Sequence, residues 1–390
     1  MKLRSITRAA LPAALLLSVV VAAVSAAEGA PDFGRALKAA DASIVRVRAT
    51  VMTGGDPAKG LATFTNTGFL ISDDGYVLTS LLAVAGSSQI RVVCPDARTA
   101  DARPVAMDQA AGLVLLKCDL PGTMPLTFAP GSPAPGDWVA LAFAGRDAAQ
   151  GPEEAATLEP AHVTAQDAAV NLNGFRWDGL LRASTRVCNG CAASPLLDRD
   201  GRVVGVVLAV KCAEPPSSVW QACDAYGLPA DQVQAIVGKL RRGESRRLGW
   251  LGVAVAAEPG DREGAQVAAV LERSPAHLAG IRPGDLVLEI NETAIESPSG
   301  VAELVAQAGP VPGMKMKLLR GGQLMQVTVD LQPRPLAICS APARLTVEAP
   351  ITVQQLMDEN RRLRLRVLEL EAASRQMQDR LHQLEQTPSR

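Results

Sequence analysis

The sequence predicts a mainly β protein: an all-β sandwich or barrel domain, then a smaller α+β domain, then one long C-terminal helix. Three observations carry this. From Ala42 to about Val210, short apolar runs alternate with Gly, Pro, Asp and Asn turns, with no long amphipathic helix between them. Examples are Ser43–Val47, Gly68–Ile71, Tyr76–Thr79, Gln89–Val93, Gly112–Lys117, Trp138–Phe143 and Arg202–Val207. A helical stretch, Pro229–Leu240, closes that region, and the basic Arg241–Arg247 reads as a linker. Trp250 to Leu331 has a different texture, with strands around two helical patches that begin at Ser274 and Ser299. Finally, Ile351–Gln386 contains no Gly or Pro and is rich in helix formers, after a Pro- and Ala-rich linker at 333–350.

The 390 residues carry a net charge of −1, so no basic field for nucleic acid and no acidic excess typical of disorder is present. With 48 % hydrophobic but only 3 % aromatic residues, the cores must rest on Val, Leu, Ile and Ala. The N-terminus reads as an export signal over residues 1–26. Lys2, Arg4 and Arg8 precede an apolar run, Ala9–Val24, and small residues at Val24–Ala27 suit a signal peptidase. Cleavage would leave no permanent membrane span, because no later segment is long and apolar enough. The implied location is periplasmic or secreted. In that compartment the seven cysteines are disulfide candidates. Cys188-x-x-Cys191 alone is also the pattern of a redox dithiol or half a zinc site, but no second pair and no nearby histidine accompanies it. No metal and no cofactor is expected. An odd count leaves one thiol unpaired within the chain.

The first domain resembles the HtrA family of trypsin-like serine proteases. Thr67–Ser72 followed by Asp74–Thr79 is similar to that family's strand, turn and strand before the catalytic histidine. Gly112–Lys117 is similar to the strand that opens with the aspartate. Gly136-Asp137-Trp138-Val139, and Pro195–Asp198 with Gly201–Gly205, match later segments in order. The resemblance implies a double β-barrel over residues 32–240. It also exposes three substitutions. Thr79-Ser80-Leu81-Leu82 puts Leu82 at the histidine, Gly112-Leu113-Val114 puts Gly112 at the aspartate, and Gly190-Cys191-Ala192-Ala193 puts Ala192 at the serine. Acyl transfer needs an oxygen nucleophile, a base and a group that orients the base, and Leu, Gly and Ala supply none of them. His162 falls after the aspartate position, His277 lies in the second domain and His382 in the terminal helix. A Ser194–Lys211 dyad is the remaining route to an active enzyme.

The second domain, 248–332, resembles a PDZ domain of the HtrA type. Gly249-Trp250-Leu251-Gly252-Val253 stands at the carboxylate-binding loop. Ser274-Pro275-Ala276, Ala279-Gly280-Ile281, Gly284–Val287 and Ile290-Asn291 follow in order. The resemblance implies that peptide or protein C-termini bind at Trp250, Leu251, Gly252 and Val253, with Val301 and Leu304 on the facing helix; ordinary core packing is the alternative for those two. It also brings the strands ending at Cys94 and Cys118 near each other, implying a Cys94–Cys118 bridge. Cys188, Cys191, Cys212 and Cys223 would form two more bridges of open connectivity, leaving Cys339 over.

Over 351–387, counting in sevens places Leu356, Leu363, Leu370, Met377 and Leu384 at d, and Val353, Asn360, Val367, Ser374 and Leu381 at a. Leu at d with Val at a favours two strands, and Asn at one a position favours matched register. The g–e′ pairs Glu359–Arg364, Arg366–Glu371 and Arg380–Glu385 are all opposite in sign, which fits a parallel dimer. The functional expectation is an exported, catalytically inactive protein that binds peptides or unfolded segments as an adaptor, sensor or chaperone-like factor. The alternative is an active endopeptidase of envelope protein quality control.

Overall fold

A computed structural model describes residues 32–52, 61–144, 156–172, 175–187, 191–212, 221–256 and 263–336. The export signal, the coiled-coil segment, Cys188 and Cys339 lie outside the described residues.

The chain opens with helix α1 (Gly34–Ser43). Strands β1 (Ile44–Met52), β2 (Leu61–Leu70), β3 (Tyr76–Ser80), β4 (Gln89–Val93), β5 (Thr99–Asp108) and β6 (Leu113–Cys118) then close a barrel in the order β1-β2-β3-β6-β5-β4, with the short helix α2 (Leu81–Val84) after β3. Strands β7 (Trp138–Phe143), β8 (Thr157–Leu172), β9 (Phe175–Val187), β10 (Pro195–Leu197), β11 (Val203–Cys212) and β12 (Gln221–Pro229) close a second barrel in the order β10-β11-β12-β9-β8-β7. Helix α3 (Ala230–Arg241) follows.

Why two barrels rather than one sheet is written in the strands. Along β6, Leu113 and Leu115 face a core between the barrels while Val114 and Leu116 fill the first barrel. Along β11, Val203 and Val206 face the shared core while Val204 and Val207 fill the second barrel. A strand buried on both faces reads as a continuous apolar run, and both do. Helix α3 seals the shared core with Val233, Val237 and Leu240, spaced one helical stripe apart. Burying a side chain such as Leu240 contributes about 1.5–3 kcal/mol. Asp231 in its first turn and Lys239 and Arg241 in its last suit the helix dipole. Arg241 also lies over the Tyr76 ring, 4.9 Å from its centre.

The α+β unit contains β13 (Gly249–Trp250), β14 (Val253–Val255), β15 (Ala265–Val270), helix α4 (Pro275–Leu278), β16 (Leu286–Ile290), β17 (Thr293–Ala294), helix α5 (Pro298–Ala308), β18 (Met314–Arg320), β19 (Gln323–Val329) and β20 (Gln332–Pro333). Its main sheet runs β14-β15-β16-β18-β19, and β13 pairs with β20. Arg320 grips the buried Asp285 through both oxygens, at 2.6 and 2.7 Å, while the Arg282 amide donates to the same carboxylate.

Several expectations change. Helix α1 is absent from the sequence reading because it buries only Ala36, Ala40 and Ser43, a stripe with little hydrophobic contrast. The β8–β9 hairpin has strands of 16 and 13 residues, but repeated register shifts break its alternation. The stretch 241–247 is more than a linker. Arg246 bridges to Asp108 in parallel, its amide donating to Met107, and the Gln109 amide donates to the Arg246 carbonyl. Gln109 then accepts from the Leu248 amide and donates to the Arg334 carbonyl, so one side chain ties both ends of the second unit to the first barrel. Ala306 of α5 packs with Ala110, Leu248 and Trp177 at the same junction.

Candidate functional site

The first candidate lies between the barrels. Strand β3 delivers Ser80, whose hydroxyl caps α2 by accepting from the Leu82 amide at 3.3 Å. The Leu81 amide donates to the Gly112 carbonyl at 2.7 Å, so the segments bearing Leu82 and Gly112 are adjacent, as the resemblance requires. The Leu82 side chain is 39 % exposed. Gly112 has φ +65°, the left-handed region in which most side chains are strained. The nearest buried carboxylate, Asp108, is occupied, accepting from the amides of Ala110 and Ala111 at 3.0 Å.

The turn carrying Ala192 is anchored to β11. The Ala193 amide donates to the Val207 carbonyl and the Val207 amide to the Ser194 carbonyl. This pairing drives Ser194 inward: the residue is fully buried and its hydroxyl has no hydrogen-bond partner. Lys211 stands four residues beyond Val207 on β11 and is exposed, about 13 Å along the strand. Among the described residues, then, the Ser194 hydroxyl is paired with no base and is not exposed to solvent. His162 is exposed on β8, its ring 5.8 Å from that of Trp138, and His277 sits in α4. A surface depression of about 450 Å³ lies between Ala129–Pro133 and Asp198–Asp200 and includes none of Leu82, Gly112 and Ala192.

The cysteines divide. Cys212 and Cys223, directly opposite on β11 and β12, are joined as a disulfide. Cys191 is buried beside them in the second barrel's core. The Cys94–Cys118 bridge, by contrast, is not formed, and both are free thiols inside the first barrel. The strands they end flank β5 from opposite sides, about two strand spacings or ~9.5 Å apart, beyond a disulfide's usual ~4.4–6.8 Å Cα reach. Burial pushes both thiols up, Cys118 to about 11 with the neighbouring Cys94 adding to it.

The second candidate is the outer edge of β14. Gly252 has φ +81°, and a Cβ there would run into Ser274. That close approach lets the Leu271 amide donate to the Gly252 carbonyl and the Ala276 amide to the Leu251 carbonyl. Among the described residues, the amides of Leu251 and Gly252 donate to nothing, so two N–H groups stand free at the head of an unpaired strand edge. Such a nest of donors receives a carboxylate. Trp250 and Val253 are half-buried. Leu251 and Val301 are 3 % and 2 % exposed in the domain core, the core-packing alternative for Val301, and Leu251 contributes its backbone to the loop. Leu304 remains partly exposed on α5. Among the described residues no three His, Cys, Asp or Glu side chains are grouped to hold a metal ion, and no helix is long and apolar enough to cross a membrane.

Known proteins agree with this architecture. The trypsin-like peptidase domain family matches residues 66–206 and the PDZ domain family matches 266–312. A relative from Hahella chejuensis, named "Probable periplasmic serine endoprotease DegP-like", is 27 % identical over 314 residues, covering 76 % of this chain and 64 % of that protein. Its counterpart in Halomonas elongata is 26 % identical over 69 % of this chain and 56 % of its own length. The chain thus spans less than two thirds of these curated relatives. Among solved structures, an HtrA-type protease AlgW with decapeptide superposes with a TM-score of 0.54 at 22 % identity, covering 78 % of this chain and 99 % of that one. The serine endoprotease from Yersinia pestis gives 0.53 at 22 %, covering 79 % and 100 %. The chain is thus similar to a trypsin-like peptidase domain over 66–206 and to a PDZ domain over 266–312, in that order.

Proposed function

We propose that this protein is an exported, catalytically inactive HtrA-like factor that binds peptide C-termini or unfolded segments at the β14 edge. The observation carrying the inactivity is the joint state of the cleft: Leu82, Gly112 and Ala192 hold no group that transfers a proton, and the Ser194 hydroxyl, two residues from Ala192, is sealed in the core. Loss of a full triad costs about 10⁶-fold in turnover. The free Leu251 and Gly252 amides support the binding role, and the N-terminal sequence together with the periplasmic relatives supports export. The heptads of 351–387 support a parallel dimer.

The test has two arms. Unfolded casein should remain intact, and a fluorophosphonate probe should leave the protein unlabelled; labelling that disappears in Ser194→Ala makes the protein an active protease. Apolar peptides with a free C-terminus should bind the full chain about 10–100-fold more tightly than their amides, the worth of charged hydrogen bonds. Equal binding of both forms sinks the carboxylate reading.

A further inference from the structure

The PDZ-type sheet has a second open edge, and we propose that it pairs with the same edge of a second copy of this chain. This surface is separate from the β14 edge and does not depend on the peptide-binding reading.

Strand β19 ends the sheet opposite β14. Its tight turn from β18, Gly321-Gly322, has both residues at positive φ, +53° and +84°, the geometry of a two-residue hairpin. Arg320 and Gln323 close that turn as a hydrogen-bonded pair, so alternation along the register turns Met325, Val327 and Val329 towards β18. The N–H and C=O groups of Leu324, Gln326 and Thr328 then point away from the sheet. Among the described residues none of these outward groups has a partner.

Exposed edges are normally guarded by Lys, Pro, charge or a bulge. This one is not. Gln323-Leu-Met-Gln-Val-Thr-Val329 is uncharged and free of Pro, and its register with β18 is unbroken. Leu324 is 73 % exposed and Leu278, on α4 beside β19, is 72 % exposed, so the edge adjoins apolar surface.

The strand's composition favours its own copy as occupant. Antiparallel pairing about Gln326 sets Gln326 against Gln326 of the second copy, Leu324 against Thr328 and Met325 against Val327. No like charges meet, and each outward residue exchanges both bonds with its counterpart. The contact is isologous, so it uses up the edge and closes at two chains. The two-fold axis runs through Gln326 perpendicular to the sheet. A parallel coil of residues 351–387, as proposed above, can lie on that same axis: fourteen residues lie between Leu336 and Ile351, a reach of about 50 Å.

Hydrogen exchange on the full chain, read by mass spectrometry over Gln323–Val329 across a hundredfold dilution, tests the proposal. Protection should fall at least about tenfold on dilution, as mass action requires for an intermolecular contact. At the higher concentration it should be lost in both Leu324→Lys, which places like charges on the edge, and Gln326→Pro, which deletes an outward N–H that the fold does not use. The circular-dichroism spectrum and thermal unfolding midpoint should be unchanged in both variants, which certifies their folding. Unprotected amides at every concentration overturn the proposal. Protection that persists in samples that light scattering shows to be monomeric also overturns it, because it assigns the edge to a segment of the same chain.

Discussion

The two candidate sites are opposites in how they treat polar groups. Between the barrels, Asp108 and Ser80 are occupied by backbone amides, and the Ser194 hydroxyl is walled in. At β14, the amides of Leu251 and Gly252 have no acceptor among the described residues, at the head of an unpaired strand. Both regions keep the backbone of their architecture, but only the second keeps unspent hydrogen-bonding capacity. Recognition follows that capacity, and architecture alone does not report it.

The comparison can be attacked through the PDZ-type fold first. Burial alone would raise the Asp285 carboxyl, but the Arg320 fork and the Arg282 amide outweigh it and hold it below the usual carboxylate range. A folded pKa below the unfolded one gives stability present above about pH 4 and lost as pH falls through the folded value. Asp285→Asn should cost about 2 kcal/mol at neutral pH in denaturant melts, the worth of charged over neutral hydrogen bonds, and should flatten the acid limb. An unchanged acid limb would detach Asp285 from stability.

Gly252→Val should next remove peptide binding while leaving the barrels' unfolding midpoint alone, because φ +81° strains a β-branched residue by about 1–3 kcal/mol and its side chain meets Ser274. Titration with a fluorescent C-terminal peptide reads this; binding within about twofold of wild type would mean the loop is not where the carboxylate sits.

The smallest expected effect concerns Ser194. Deleting an orphaned buried hydroxyl with Ser194→Ala should be neutral or stabilise by up to about 1 kcal/mol. A loss of more than that in chemical denaturation would reveal a partner for the hydroxyl and spoil the contrast between the sites.

Much of this was legible in advance. The strands buried on both faces announce themselves as runs, as in Leu113–Leu116, and the two PDZ-type helices begin at Pro275 and Pro298, each within one residue of the expected Ser274 and Ser299. What escaped had weak contrast: α1 buries alanines, and β8 shifts register repeatedly. The state of Cys94 and Cys118 escaped for another reason. Sequence places each at a strand end but not the strand β5 between them, because barrel order is a tertiary fact. Likewise, periodicity marks Val301 and Leu304 as one helix face without saying which of the two reaches the surface. The orphaned Ser194 hydroxyl depends on a turn anchored by Val207 and leaves no signal in composition.

Gly112 constrains the cleft through its backbone. An aspartate restored there would inherit a backbone at φ +65°, while Ala193, already at φ +62°, occupies a conformation that most side chains avoid. Asp and Asn accept that left-handed backbone more readily than other side chains, so position 112 would admit a carboxylate where it would refuse a β-branched residue. The backbone of the cleft thus acts as a filter on the side chains it can carry, independently of the chemistry those side chains would bring.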